Sequence, residues 1–511
     1  MKKLLKALLI LSSFSVLTRA LGFLFRVFLS RLIGAEGLGV YQVAFSVFMV
    51  LETFISSGLP LIVSKKTSEN IFKKDKKGEF RTVSSALLIG VITSLLVCLV
   101  VFVFKSIFAL LFTDDRCIVI LLILLPTLVF SSVYAILRGN LWGHKKYFLV
   151  SFTEFIEQVI RIIFTVLFLA VMSFSLDKVF LASFSYVISC IFSSVLVFIL
   201  YKKGGGKFTN PKTELKQTLK ESTPITLVRV ISSLLMPLIA VIIPLQLLNI
   251  GYTNDQAMTI FGVAMGMTFP LLYIPSTLVG SLSVTLIPDL SSAVFAQNYS
   301  EIKTKVNFAI KFAMFTSFIF IPLFFSLGTP IGIFFYDNVD AGFYLTHSCF
   351  LIVPICLSSV TVSCLNALNL EVRSFINYVI GAVFLLLSIL FLTKFIGIFS
   401  LVIGLTICLG GAAVLNIFVL NKKFQTNFFN FKYLFLCILA SIPVILISKW
   451  VYGIFSLFIP LFFSLILSCL AGVFFFFVLA VVFNLISLSF LRQKFLLRKK
   501  ILSLKKAKKL N

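Results

Sequence analysis

Long apolar runs, each near the length of a membrane-crossing helix, alternate with short polar breaks along almost the whole chain. Fourteen can be delimited, at 7–30, 38–63, 83–111, 118–141, 150–173, 179–201, 223–248, 257–286, 306–328, 345–368, 374–393, 396–420, 432–450 and 454–488. A hydrocarbon core about 30 Å thick needs about 20 apolar residues in a helix. In lipid a helix satisfies its own backbone groups, so it is the default spanning element. The short alternating segments of a β-barrel do not occur. The predicted fold class is an all-α polytopic membrane protein with about 14 transmembrane helices.

A second pattern lies over the first. Gly34 matches Gly262, Pro60 matches Pro288, Ser64 matches Ser292 and Asn70 matches Asn298, all at an offset of 228 (262 minus 34). Pro126 with Pro354 and Leu137 with Leu365 continue the register. The repeat predicts two pseudo-symmetric six-helix lobes: an N-lobe over 1–201 and a C-lobe over 222–421. The glycine-rich, basic stretch 202–221 reads as a flexible inter-lobe linker. Two further helices occupy 422–490, and a basic tail fills 491–511. Six crossings return the chain to its starting side, so the copies are parallel, and a cavity is expected between lobes that rock against each other.

Composition agrees. Of 511 residues, 60% are hydrophobic and 12% charged, where soluble domains carry about 25% charged residues. The net charge of +27 invites a nucleic-acid reading. The cations, however, sit in short clusters between apolar runs, which is the mark of a cytoplasmic face. With the amino terminus inside, that face collects the lysines of 65–77, those of 202–220 and the tail from Arg492 to Lys509. The outer side keeps Arg31, Lys105, Arg116, Lys178, Lys394 and Lys449, with Asp114, Asp115 and Asp177. The expected location is the cytoplasmic membrane with both termini cytoplasmic, and no nucleic-acid partner. Met1-Lys2-Lys3 and the run behind it imitate a signal peptide but lack a convincing cleavage site, so a retained first helix is expected. Nine scattered cysteines form no CxxC pair, and no metal site is expected.

Ionisable residues inside a bilayer cost about 2.5–3.5 kcal/mol each on insertion scales, which makes them the first place to look for function. Arg19 and Arg26 lie seven apart in the first run and share a helix face. Paired guanidinium groups suit a phosphate or pyrophosphate; snorkelling of Arg26 and carboxylate pairing of Arg19 are the alternatives. Glu52 could neutralise an arginine of the first helix or bind a coupling cation or proton. Arg229 either lines the cavity or snorkels. Glu154, Glu157 and Arg161 share one face, and Glu157 and Arg161 are spaced for an intrahelical ion pair; these three are read as structural or coupling charges. Pro270, Pro275 and Pro288 are candidate kinks.

Catalytic constellations are missing. His144 and His347 are far apart, and no P-loop, Gly-rich nucleotide turn or paired-carboxylate motif stands out. No enzyme activity and no cofactor are expected beyond a coupling ion or the membrane potential.

The stretch Thr18-Arg19-Ala20-Leu21-Gly22-Phe23, continuing from Phe25-Arg26-Val27 to Gly39-Val40-Tyr41-Gln42, is distinctive, as is Gly58-Leu59-Pro60 before Val63-Ser64-Lys65. It resembles the polysaccharide transporter branch of the multidrug/oligosaccharidyl-lipid/polysaccharide (MOP) flippase superfamily, and within it the stage V sporulation protein B and lipid II flippase-like group. The resemblance implies a flippase for lipid-linked cell-wall precursors. It also implies first-helix arginines lining a cationic cavity, and a lipid-tail groove between the last two helices. Arg19 matches the first such arginine. Phe25 stands at the position of the second and Arg26 follows it, a shift that rotates the side chain by about 100°.

The expected function is thus translocation, by alternating access, of an undecaprenyl-pyrophosphate-linked oligosaccharide or peptidoglycan precursor for cell-wall, spore-cortex or polysaccharide synthesis. The partners are that lipid-linked saccharide, membrane lipids and, as candidates, cell-wall synthesis proteins. A cation-coupled multidrug exporter of the same superfamily, a membrane-bound glycosyl- or acyltransferase, and a non-transporting scaffold are the alternatives.

Overall fold

The computed structural model describes residues 2–172, 177–212 and 214–485. The basic tail 491–511 lies outside them. Every regular element among the described residues is helical. By proximity of Cα atoms the described residues form two compact units, one within 2–270 and 386–401 and the other within 271–385 and 402–485.

The first unit opens with α1 (Lys2–Ser56), a run of 55 residues broken at Gly34, where φ is 75° and ψ is 177°. Glycine reaches that conformation at little steric cost, so the elbow is placed by sequence. Next come α2 (Leu59–Lys73), with Pro60 in its first turn, and α3 (Lys76–Val103). A short α4 (Lys105–Ala109) precedes α5 (Asp115–Gly143), α6 (Tyr147–Met172) and α7 (Lys178–Lys203). Asp75, Asp114 and Asp177 cap α3, α5 and α7, each side chain accepting a backbone N–H of the first turn. Then follow α8 (Leu215–Ser233), α9 (Leu235–Asn249) and α10 (Asn254–Phe261). A seven-residue π-helical stretch, Gly262–Thr268, leads into α11 (Phe269–Leu272).

Helix α1 beyond the elbow packs directly on this π-helical stretch. A methyl added at Gly39 would meet the Met258 carbonyl, and one added at Gly262 would meet the Ala35 carbonyl. The two backbones touch because neither position carries a side chain, the close approach that small residues allow between membrane helices. On the other side, α2, α3 and α5 enclose Leu59, Val63, Val83, Ile136 and Leu137.

The second unit contains α12 (Ile274–Phe295), α13 (Tyr299–Tyr336), α14 (Val339–Ser348), α15 (Ile352–Ala367), α16 (Glu371–Ile396), α17 (Phe399–Phe424), α18 (Phe431–Phe455) and α19 (Leu461–Val482), apart from residues 386–401, the end of α16 and the start of α17. A buried amide chain ties three of them: Asn377 donates to Asn416 at 2.8 Å, and Asn416 donates to Thr361 at 3.3 Å. Helices α18 and α19 pack on α13, with Phe315 and Phe476 rings 5.4 Å apart and the Ser441 hydroxyl reaching the Phe318 carbonyl. Leu137 and Leu365, partners in the repeat, are both fully buried.

Eleven helical stretches among the described residues are long and apolar enough to cross a membrane, or twelve if the bent pair 254–272 and 274–283 is one span. Fourteen were expected. The expected run 7–30 and most of 38–63 belong to one bent helix, α1, and the end of the second run enters α2, so the two count as one stretch, Leu17–Lys73. The run 150–173 falls in α6, a 26-residue helix whose Glu154, Glu157 and Arg161 set it apart from the plain apolar spans.

The stretch 202–221 departs from the flexible linker that its glycines suggested. The Thr209 N–H donates to Ser84 Oγ at 3.0 Å, Ser85 Oγ donates to the Pro211 carbonyl at 2.7 Å, and Tyr201 OH donates to the Lys207 carbonyl at 3.0 Å. Glu214 accepts from Thr82 and lies 3.7 Å from Lys66. Phe208 sits 5.6 Å from the Tyr201 ring, with the Lys202 ammonium 4.2 Å from its own centroid. These partners lie more than a hundred residues away or within the preceding helix, and they hold the loop against α2, α3 and α7.

Candidate functional site

Four helices of the first unit bring polar groups together: α1 beyond its elbow, α5, α6 and α7. On α6, Glu157 and Arg161 are one turn apart and meet at 2.6 Å. Arg161 also donates to Ser189 of α7 and to Gln158, each at 3.3 Å, and its guanidinium lies 4.4 Å from the Tyr186 ring centroid. Tyr186 is boxed by Phe45 at 5.2 Å and Phe48 at 5.8 Å, both from α1. This is a cation on an aromatic face, screened from water by further rings.

Glu52 of α1 faces the Ser131 hydroxyl of α5 and is close enough to Glu157, Arg161 and Arg138 for their charges to act on it. It does not pair with an arginine of its own helix. Arg138 of α5 is bound by Glu154 at 2.8 Å and lies over Tyr134 and Trp142, at 5.3 and 4.8 Å. Three carboxylates (Glu52, Glu154, Glu157) therefore share two guanidinium groups (Arg138, Arg161).

The remaining expected residues stand apart. Arg19 and Arg26 lie on α1 before the elbow, both exposed. Arg26 and Arg161 are both near enough to Tyr41 for their charges to act on its phenol. Arg19 makes no hydrogen bond or ion pair with the described residues. Arg229 is exposed on α8, and its Nη1 points to the Ser57 carbonyl at 3.4 Å.

The sequence pattern alone does not single out Arg138, Ser131, Tyr41 or Tyr186. The four-residue spacing of Tyr134, Arg138 and Trp142 was the available signal for a cation–aromatic stack.

A second ionic group gathers helix ends. Arg116 binds Glu36 at the α1 elbow and Asp114 at the α5 cap, and its Nη1 is 4.0 Å from Asp177 at the α7 cap. Asn254, the first residue of α10, donates to Asp114 at 3.2 Å. Burial pushes the Asp114 carboxyl up, but the hydrogen bonds and charge of Arg116, with the Asn254 amide, outweigh it and hold the group below its usual range. A carboxyl depressed in the folded state contributes stability above its unfolded pKa, about 3.9, and loses it as pH falls through the folded value. The melting difference between the protein and Asp114→Asn is therefore expected to be full at neutral pH and to shrink below about pH 4. Thermal melts across an acid series check this, and a difference independent of pH refutes it.

Comparison with known proteins places this geometry. A model of the polysaccharide biosynthesis protein family matches residues 4–293. Stage V sporulation protein B of Bacillus subtilis (strain 168) is 26% identical over 391 residues, covering 74% of this chain and 75% of that protein. The lipid II flippase MurJ of the same organism is 22% identical over 421 residues, 75% of this chain and 76% of the relative. Among solved structures, lipid II flippase MurJ in an inward closed conformation superposes with a TM-score of 0.69 at 18% identity, over 93% of this chain and 98% of that one. An inward-facing multidrug resistance MATE family transporter of the MOP superfamily gives 0.65 at 15% identity, over 80% and 94%. The structural likenesses establish the fold: a multi-pass helical membrane protein built like those two transporters.

Proposed function

The chain belongs to the polysaccharide biosynthesis protein family, and from that premise we propose that it is a flippase carrying a lipid-linked saccharide across the cytoplasmic membrane. The cargo is an undecaprenyl-pyrophosphate-linked oligosaccharide or peptidoglycan precursor, moved from the inner to the outer leaflet. The observation that carries this reading is the likeness to a lipid II flippase over about three quarters of both chains. Stage V sporulation protein B, similar over a comparable share, supports a place in cell-wall or spore-cortex assembly.

The chemistry of the chain supports the same reading. A sugar pyrophosphate head needs a cationic, polar shelter while it crosses, and guanidinium groups bind such oxyanions in a planar, bidentate way. Arg19 and Arg26 supply that charge on α1, with Glu52 and Arg229 as further contacts to the head. Glu154, Glu157 and Arg161 serve as structural or coupling charges. Helices α18 and α19 are assigned to the lipid tail. The clusters of lysine support an orientation with both termini in the cytoplasm, and the membrane potential, about 2.3 kcal/mol per charge per 100 mV, is available to drive an anionic head outward.

The test is reconstitution in vesicles loaded with a fluorescent lipid-linked precursor. Protein-dependent loss of label to an outer-leaflet quencher is the expected result. No translocation beside a working flippase control overturns the proposal. The MATE likeness favours a second reading, a cation-coupled drug exporter; gradient-driven efflux of a cationic dye from the same vesicles, with no precursor movement, would select it.

A further inference from the structure

The turn joining α2 to α3 carries a surface that lipid transport does not use. Residues 71–77 are all exposed, and Phe72 at the tip has 90% of its surface uncovered. Around it stand Lys73, Lys74, Lys76 and Lys77, with Arg81 one turn along α3, all exposed. Of the three acidic residues of the hairpin, Glu69 is exposed on α2 and the other two are engaged elsewhere. Asp75 accepts the Gly78 N–H at 2.9 Å as the cap of α3. Glu79 is buried, accepts from Asn140 at 2.8 Å and meets His144 at 2.7 Å. Among the described residues none of the five cations is in an ion pair.

The tip is held in shape. Lys74 closes α2 in the left-handed conformation, φ 58°, and its N–H returns to the Asn70 and Ile71 carbonyls. Asn140 of α5 donates to Thr67 at 3.2 Å, and Ser68 donates to the Gly143 carbonyl at 3.1 Å. The ring is therefore presented by a hairpin bound to α5.

Helix length sets its distance from the bilayer. Leu88, 39% exposed, is the first exposed large apolar side chain of α3. Twelve residues separate it from Lys76, about 18 Å of helix, whereas the headgroup layer is only about 5–8 Å deep on each side. For a helix standing along the membrane normal, the tip thus lies beyond the headgroups. The positive-inside rule accounts for lysines at this end; it does not account for an uncovered phenylalanine beyond the headgroups.

We propose that the α2–α3 tip is a docking site for an acidic protein segment bearing an apolar side chain, with the lysines steering the approach and Phe72 as the anchor. The test uses the full chain in phosphatidylcholine nanodiscs and, as probe, a fluorescent peptide of glutamates with a leucine at every fourth position. Saturable binding is expected, weakened about tenfold or more by Phe72→Ser, by joint Lys→Gln substitution at 73, 74, 76 and 77, or by replacing the peptide's glutamates with glutamine. Raised salt should weaken it too. Equal binding by wild type and Phe72→Ser, or no binding, overturns the proposal. In phosphatidylglycerol nanodiscs, quenching of Phe72→Trp fluorescence by brominated lipid, beyond that of wild type, would assign the tip to the membrane and also overturn it.

Discussion

Arg19→Ala is expected to slow translocation of the labelled precursor by about one to two orders of magnitude while leaving the melting temperature unchanged. A charge-assisted hydrogen bond contributes about 1.5–3 kcal/mol, and each 1.36 kcal/mol is about tenfold in rate. The two halves of the expectation separate function from folding. Arg19 is exposed and bonds to none of the described residues, so removing it leaves no buried group stranded. Arg19→Lys should recover part of the rate, because the charge stays while the bidentate fork is lost. Arg26→Ala is the informative companion, since Arg26 is close enough to Tyr41 for its charge to act there and a full effect would make the two arginines one site. Wild-type translocation by Arg19→Ala in the vesicle assay would remove this residue from the proposed mechanism.

The second large effect concerns folding. Arg161→Met is expected to destabilise the first unit by about 3–5 kcal/mol, the usual result of leaving one partner of a buried ion pair unpaired. The methionine strands Glu157, which Arg161 binds at 2.6 Å, and leaves Arg138 as the single guanidinium among three carboxylates. It also takes the cation off the Tyr186 face. Adding Glu157→Leu should restore most of the loss, because an apolar pair of similar volume avoids the desolvation of both charges. Thermal melts in detergent of the two single variants and the double variant form the cycle. Equal melting of Arg161→Met and wild type would mean that the pair is solvated and contributes nothing.

Local patterns were readable from sequence and tertiary ones were not. Helix positions followed from apolar run length, and the Glu157–Arg161 contact followed from its one-turn spacing. The fusion of two runs into α1 was hidden because Gly34 and its neighbours look like a polar break, whereas the structure turns there without leaving the helix for more than one residue. The Arg138–Glu154 bond joins two helices, and the Arg116 group joins residues 80 apart in sequence, Glu36 and Arg116, and 140 apart, Asp114 and Asn254. No periodicity encodes such meetings. The loop at 202–221 shows the reverse error: glycines and lysines suggested freedom, but Ser84, Ser85 and Thr82 on α3 supply partners that composition cannot reveal.

The sharing at Arg116 constrains how that end of the first unit can come apart. One guanidinium serves Glu36, Asp114 and Asp177, and Asp114 in turn holds Asn254. The elbow of α1, the caps of α5 and α7 and the first residue of α10 are thus coupled through one side chain, so that loss of Arg116 would loosen all four places at once where four separate contacts would have failed one by one.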